Sequence, residues 1–147
     1  MKEVLRCTYP GDLTQLQPLA NRIDVALAPH GLPESVTFGV HMAFDEIFSN
    51  AVKYAGNESC SVQFAVAILL SANSVILEME YDGVAFNVLE VPPPVLDLPL
   101  QQRPVGGLGL HLVRQWVDEV EYRHENGRNI LRLTIHFDAL KSCKSKK

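Results

Sequence analysis

The sequence predicts an α/β protein of the α+β kind, a mostly antiparallel mixed sheet with helices on one face. Two observations carry this. Strand-like and helix-like periodicities follow one another in the order strand, helix, helix, two strands, long loop, helix, two strands. Two strand pairs are each joined by a short polar link, "SANS" and "ENGR", so their members are antiparallel neighbours. With 147 residues, 47% of them hydrophobic, the chain is expected to bury one core without staples.

Each element has its own signature. "VLRCTYP" reads as a first strand, closed by Pro10-Gly11. "DLTQLQPLANRIDVALAPHG" follows as a helix, with Asp12 or Thr14 available to cap it and Leu16, Leu19, Ala20, Ile23 and Leu27 as its core stripe. Pro18 belongs in the first turn, where its missing N–H costs nothing. After "GLPES" comes a second helix running through "HMAFDEIFSNAVKYAG", residues 41 to 56. Phe44, Ile47, Phe48, Ala51, Val52 and Ala55 share one face at about 100° per residue.

"SVQFAVAILL" and "SVILEMEYDG" form a hairpin. "FNVLEVPPPVLDLPLQQRPV" holds five of the nine prolines and reads as a long loop of the lid type. "GGLGLHLVRQWVDEV" restarts helical spacing with Leu110, Val113 and Val117 on one side. In the closing hairpin, Asn126-Gly127 marks the turn, and Leu131, Leu133, Ile135 and Phe137 alternate as in a half-buried strand.

Composition narrows the function classes. Cys7, Cys60 and Cys143 are odd in number and lack a C-x-x-C pair, against a disulfide framework or a zinc site. No apolar run suggests a leader or a membrane span, so a soluble cytoplasmic protein is expected. The net charge of −4 becomes −8 once Lys141, Lys144, Lys146 and Lys147 are set aside. An acidic body without a basic stripe is not built to grip a phosphate backbone, so no direct nucleic-acid contact is expected. Residues 1–140 are expected to form one domain and 141–147 a basic, disordered tail.

The chemistry is concentrated in three stretches. The polar stripe of the second helix holds Glu46, Ser49, Asn50 and Lys53. Asn and Ser are poor helix-interior residues, so this is an odd choice for a merely solvated face, though that remains the bland alternative. A carboxylate and an amide one turn apart can also hold a hard cation and its waters. In the second stretch, "YDGVAFN", Asp82-Gly83 ends a strand; alone, Asp-Gly is a common turn. In the third, Gly106, Gly107 and Gly109 open a helix, where backbone amides and the positive dipole end can meet an anion; a plain turn is the alternative.

Taken together, "EIFSNAVKYA", "DGVAF", "GGLGL" and "GRNILRL" resemble the N, G1 and G2 boxes and the final hairpin of the GHKL ATPases. The resemblance runs over roughly Leu13 to Phe137 and is nearest to the anti-sigma-factor serine kinases of the RsbW type. It implies a two-layer α/β sandwich, the Bergerat fold, with ATP and Mg²⁺ as ligands. By matching position, Asn50 resembles the Mg²⁺ residue and Glu46 the carboxylate that orients or deprotonates the attacking hydroxyl. Lys53 and Arg103 resemble phosphate contacts. Gly106, Gly107, Gly109 and Leu110 resemble the phosphate-cradling turn and helix start, and Thr134 the hydroxyl supporting adenine recognition.

The chain departs from the family at one position. The G1 box is usually Asp-x-Gly, with the Asp accepting the adenine amino group, but Tyr81 stands two residues before Gly83. Asp82 replaces that carboxylate only if the strand bulges, because neighbouring strand residues point to opposite faces.

The chain is expected to begin and end with the ATPase fold, and no histidine sits in a phospho-acceptor helix. The resemblance then implies an acceptor serine on a small anti-anti-sigma partner, sequestration of a sigma factor, and a homodimer. The alternative is a nucleotide-responsive or nucleotide-free module that binds a partner without phosphorylating it.

Overall fold

Antiparallel pairing dominates the computed structural model, which describes residues 1–54, 62–83, 85, 87 and 107–138. Strand β1 (Lys2–Gly11) is followed by a 3-10 turn at Leu13–Gln15, helix α1 (Leu16–Leu27) and a second 3-10 turn at Ala28–His30. Helix α2 (Glu34–Tyr54), strands β2 (Val62–Leu70) and β3 (Ser74–Asp82), helix α3 (Gly107–Trp116) and strands β4 (Glu119–Glu125) and β5 (Arg128–His136) complete the order. This is the element order read from the sequence. The lid-type loop, apart from Asn87, and the basic tail lie outside the described residues.

The five strands form one sheet in the order β1-β2-β3-β5-β4, and all four pairings are antiparallel. Local chemistry fixes the connections. The Asp12 carboxylate accepts the Thr14 N–H at 2.9 Å and starts the first helical turn. Asn126 (φ 52°) and Gly127 (φ 75°) both take the left-handed conformation that a tight hairpin turn demands.

Period-two alternation assigns the two sheet faces. Phe64, Val66, Ile68, Leu77, Met79, Leu131, Leu133 and Ile135 point into the core. Helices α1 and α2 close that face with Leu19, Ile23, Leu27, Val40, Phe44, Ile47 and Phe48, all at 2% exposure or less. Each such large side chain contributes about 1.5–3 kcal/mol of transfer free energy. The other face has no helix on it among the described residues and carries an ion-pair ladder, with Arg132 on Glu78 at 3.1 Å and Arg128 on Glu80 at 3.2 Å. Two shallow concavities of about 300 and 600 Å³ lie on this open face, lined in part by Glu121 and Arg132. Helix α2 is therefore packed on the sheet by its apolar side, and its polar stripe carries Glu46 and Asn50.

Candidate functional site

Helix α2 positions the central pair of residues. Pro33 lies just before it, where its carbonyl accepts the N–H of Val36 at 3.0 Å, and Glu34 places a negative charge in the first turn. Sixteen residues into the helix, Asn50 is only 4% exposed, although Glu46 and Ser49 on the same stripe are half-buried. Its Nδ2 donates to the Glu46 carbonyl at 2.6 Å and approaches Glu46 Oε2 at 3.4 Å. Both of those atoms are acceptors, so the amide nitrogen must face them and the amide oxygen must face away. Asn50 Oδ1 makes no hydrogen bond to the described residues, and no described side-chain oxygen is both sealed and unpaired. An open, oriented amide oxygen beside a carboxylate is the donor set that a hard cation such as Mg²⁺ accepts.

The electrostatics of Glu46 follow from its place. Burial pushes its carboxyl above the usual carboxylate range, the Asn50 amide pulls it back, and the Asp45 charge next to it adds to the rise. A carboxylate tuned upward is better matched to taking a proton near neutral pH.

The sheet beneath this helix is aromatic. Phe44, Phe48, Phe64 and Tyr81 form a ladder with centroid separations of 5.4, 4.6 and 5.5 Å, all of them at 0% exposure. Across from Tyr81 on β5 stands Asn129, also at 0%. Its Nδ2 donates to the Tyr81 carbonyl at 3.2 Å, and its Oδ1 accepts the Tyr122 hydroxyl at 2.5 Å. A buried amide with both ends engaged fixes the β3–β5–β4 register at this point.

The structure brings some of the expected site residues together and separates others. Glu46 and Asn50 are joined. Gly107, Gly109 and Leu110 lie in the first turn of α3. Lys53 is in the last turn of α2, and Gly106 and Arg103 lie outside the described residues.

Asp82 does not swing to the Tyr81 side. Strand β3 stays in register through the pair Asp82–Arg128, with no bulge, so Asp82 faces the open side, where its Oδ1 accepts the Gln63 N–H at 2.7 Å. Gly83 takes φ 117°, a conformation that suits glycine, and its N–H bonds the Gly127 carbonyl at 3.2 Å.

Thr134 is also turned away from the Glu46–Asn50 pair. It alternates with Leu133 and Ile135, which face the helices, and so lines the open face beside Ile76 and Glu119. The sequence reading missed Asn129, and its signal was present: it shares parity with Leu131, Leu133 and Ile135 and is therefore an inward polar residue.

Helix α3 is tied to the start of α2. The Trp116 indole N–H donates to the Ser35 carbonyl at 3.0 Å, and its ring meets Phe38 edge-on at 5.3 Å. Gly39 makes room for it, since a Cβ there would collide with the indole Cδ1.

With this geometry in place, similarities to known proteins bear on the chain. A family model described as Histidine kinase-like ATPase domain matches residues 9–135. Serine/threonine-protein kinase BtrW of Bordetella bronchiseptica is 26% identical over 99 residues, covering 67% of this chain and 70% of its own. Serine-protein kinase RsbW of Bacillus thuringiensis is 27% identical over 94 residues, which is 61% of this chain and 58% of its own length. The same figures hold for Serine-protein kinase RsbW of Bacillus anthracis.

Proposed function

This chain belongs to the histidine kinase-like ATPase domain family, and on that premise we propose that it is an ATP-dependent serine/threonine protein kinase of the anti-sigma-factor type. Its substrates are ATP and a serine on a small anti-anti-sigma protein. It also sequesters a sigma factor, works as a cytoplasmic homodimer, and contacts neither nucleic acid nor membrane directly. Relatives named as serine kinases support the reaction class, and among the described residues no helix is long and apolar enough to cross a membrane.

The observation that carries the reading is the Glu46–Asn50 pair. Asn50 Oδ1 would hold Mg²⁺, which would neutralise charge on the phosphates. Glu46 lies one turn away with its carboxyl raised and is placed to accept a proton. In the proposed reaction the acceptor serine Oγ attacks the γ-phosphorus as its proton passes to Glu46. The new O–P bond forms while the bond to the β-phosphate oxygen breaks, and ADP leaves with the electron pair. Gly106, Gly107, Gly109 and Leu110 are assigned to the phosphates, with Lys53 and Arg103 as their cationic partners. Such a reaction needs alignment and charge neutralisation more than covalent chemistry, and this residue set supplies both.

A second reading is favoured by one specific observation. Tyr81 is sealed in the aromatic ladder and Asp82 is engaged with Gln63 on the other face, so β3 offers no carboxylate to an adenine amino group. A partner-binding module that does not phosphorylate fits that arrangement. Transfer of radiolabelled phosphate from ATP to a candidate partner, with Mg²⁺ present and then chelated, separates the two readings. Mg²⁺-dependent labelling of a serine supports the kinase, and stable complex formation without labelling supports the module.

A further inference from the structure

The single tryptophan of the chain has a task that the site description does not use. Trp116 is the last residue of α3, and it docks on Ser35 and Gly39, at the start of α2. Among the described elements, α3 packs on α2. A parallel α3 would run off the beginning of α2 at Glu34, so α3 must lie antiparallel along it. Gly107 stands nine residues before Trp116, which is about 13.5 Å at 1.5 Å per residue. Nine residues beyond Gly39 on α2 is Phe48, midway between Glu46 and Asn50. The glycine-opened N-terminus of α3 therefore arrives alongside the Glu46–Asn50 pair, at a height set by where Trp116 is pinned.

The pin is specific to one register. Three features meet in it: the indole N–H to the Ser35 carbonyl at 3.0 Å, the edge-on contact with Phe38, and the flat surface that Gly39 leaves for the ring. Sliding α3 by one turn would lose all three. We propose that Trp116 is a positioning residue that sets the axial register of α3 on α2, and through it the distance between the α3 N-terminal amides and the Glu46–Asn50 pair. The inference rests on the kinase reading, in which those amides meet the phosphates of the nucleotide. A displacement of order 1 Å at such a site is enough to cost up to about a hundredfold.

The test uses the full chain and three nucleotide probes: Mg·ATP, Mg·ADP and adenosine. Trp116→Ala should weaken Mg·ATP about tenfold and Mg·ADP less, leave adenosine unchanged, and be rescued to within about threefold by Trp116→Phe. Equal weakening of all three ligands, or wild-type Mg·ATP affinity in Trp116→Ala, overturns the assignment. If Trp116→Ala fails to fold, Gly39→Ala decides, because an added Cβ there would push the indole from its seat. With the indole displaced in Gly39→Ala, Mg·ATP should weaken several-fold while adenosine is unchanged, and wild-type Mg·ATP affinity in that variant overturns the proposal. Calorimetry that shows no Mg·ATP binding to the wild type would sink the kinase reading and this inference with it. Mg·ATP binding to the wild type that neither Trp116→Ala nor Gly39→Ala weakens sinks the inference alone.

Discussion

Replacing Glu46 with glutamine keeps the length and shape of the side chain and removes one charge. The bond from Asn50 Nδ2 to the Glu46 carbonyl, at 2.6 Å, is to backbone and survives, while the 3.4 Å contact to Oε2 is at the limit of a hydrogen bond, and an amide oxygen can take it over. The fold should therefore be intact. Burial raises the Glu46 carboxyl first, the Asn50 amide opposes, and Asp45 adds to the rise.

The sign follows from linkage. The folded carboxyl keeps its proton to a higher pH than the unfolded one. Stability is therefore lost as pH climbs above the ordinary value of 4.5, and nothing is lost below it. Glu46→Gln should be at least as stable as wild type at pH 7, with the advantage gone in acid. For chemistry the change should cost ~10²–10⁴-fold in phosphate transfer if Glu46 is the base. That corresponds to about 2.7–5.5 kcal/mol of barrier. The wild-type rate should also rise with pH along a limb displaced upward from that of an ordinary glutamate. Thermal melts at several pH values, radiolabelled transfer and its pH profile read the three effects. Transfer within twofold of wild type, or a lowered melting point at pH 7, refutes this account of Glu46.

Asn50→Ala should abolish Mg²⁺-dependent ATP binding, because it removes the oriented amide oxygen; unchanged, Mg²⁺-dependent affinity by calorimetry would count against the metal role. Asn129→Ala removes the bonds to Tyr81 and Tyr122 and should cost roughly 1–3 kcal/mol, read as a fall in unfolding midpoint in urea. Tyr81→Asp loses a fully buried ring and buries a charge, so it should cost at least about 3–5 kcal/mol in the same assay, and a near-neutral result would mean that the ladder yields to solvent. Without a β3 carboxylate at the base, wild-type affinities for ATP and GTP should agree within about threefold; a charge-assisted bond worth roughly 1.5–3 kcal/mol would instead separate them by tenfold or more.

Element order and the core stripes were legible because periodicity is a local property. Leu19, Ile23 and Leu27, and Leu131, Leu133 and Ile135, repeat at the spacings that their elements impose. The same parity that places Leu133 and Ile135 inward turns Thr134 outward and Asn129 inward, so two side-chain directions could have been read from the strand alone. Other features depend on contacts between distant segments. That Tyr81 is sealed rather than reaching into a site follows from Phe48 and Phe64, which lie on two other elements. That Trp116 is pinned depends on Gly39, 77 positions away, whose lack of a side chain matters only once α3 lies against α2. The orientation of the Asn50 amide was also out of reach, because it is decided by hydrogen bonds rather than by helical phase.

The seam between β3 and β5 joins two hairpins that each close locally, β2 with β3 through Ser71–Asn73 and β4 with β5 through Asn126-Gly127. Its own partners, such as Asp82 and Arg128, are 46 positions apart. The seam is also fastened on both sides of the sheet, by the buried Asn129–Tyr81 bond below and by the two arginine–glutamate pairs above. Folding therefore faces a long strand-pairing search at this junction, as it does where β1 meets β2, and loop-closure entropy is spent before any contact rewards it. Once made, the junction should be the last to open. Backbone amides of β3 and β5 should then exchange with solvent only through whole-molecule unfolding, while β1 and β4 fray at the edges on their own.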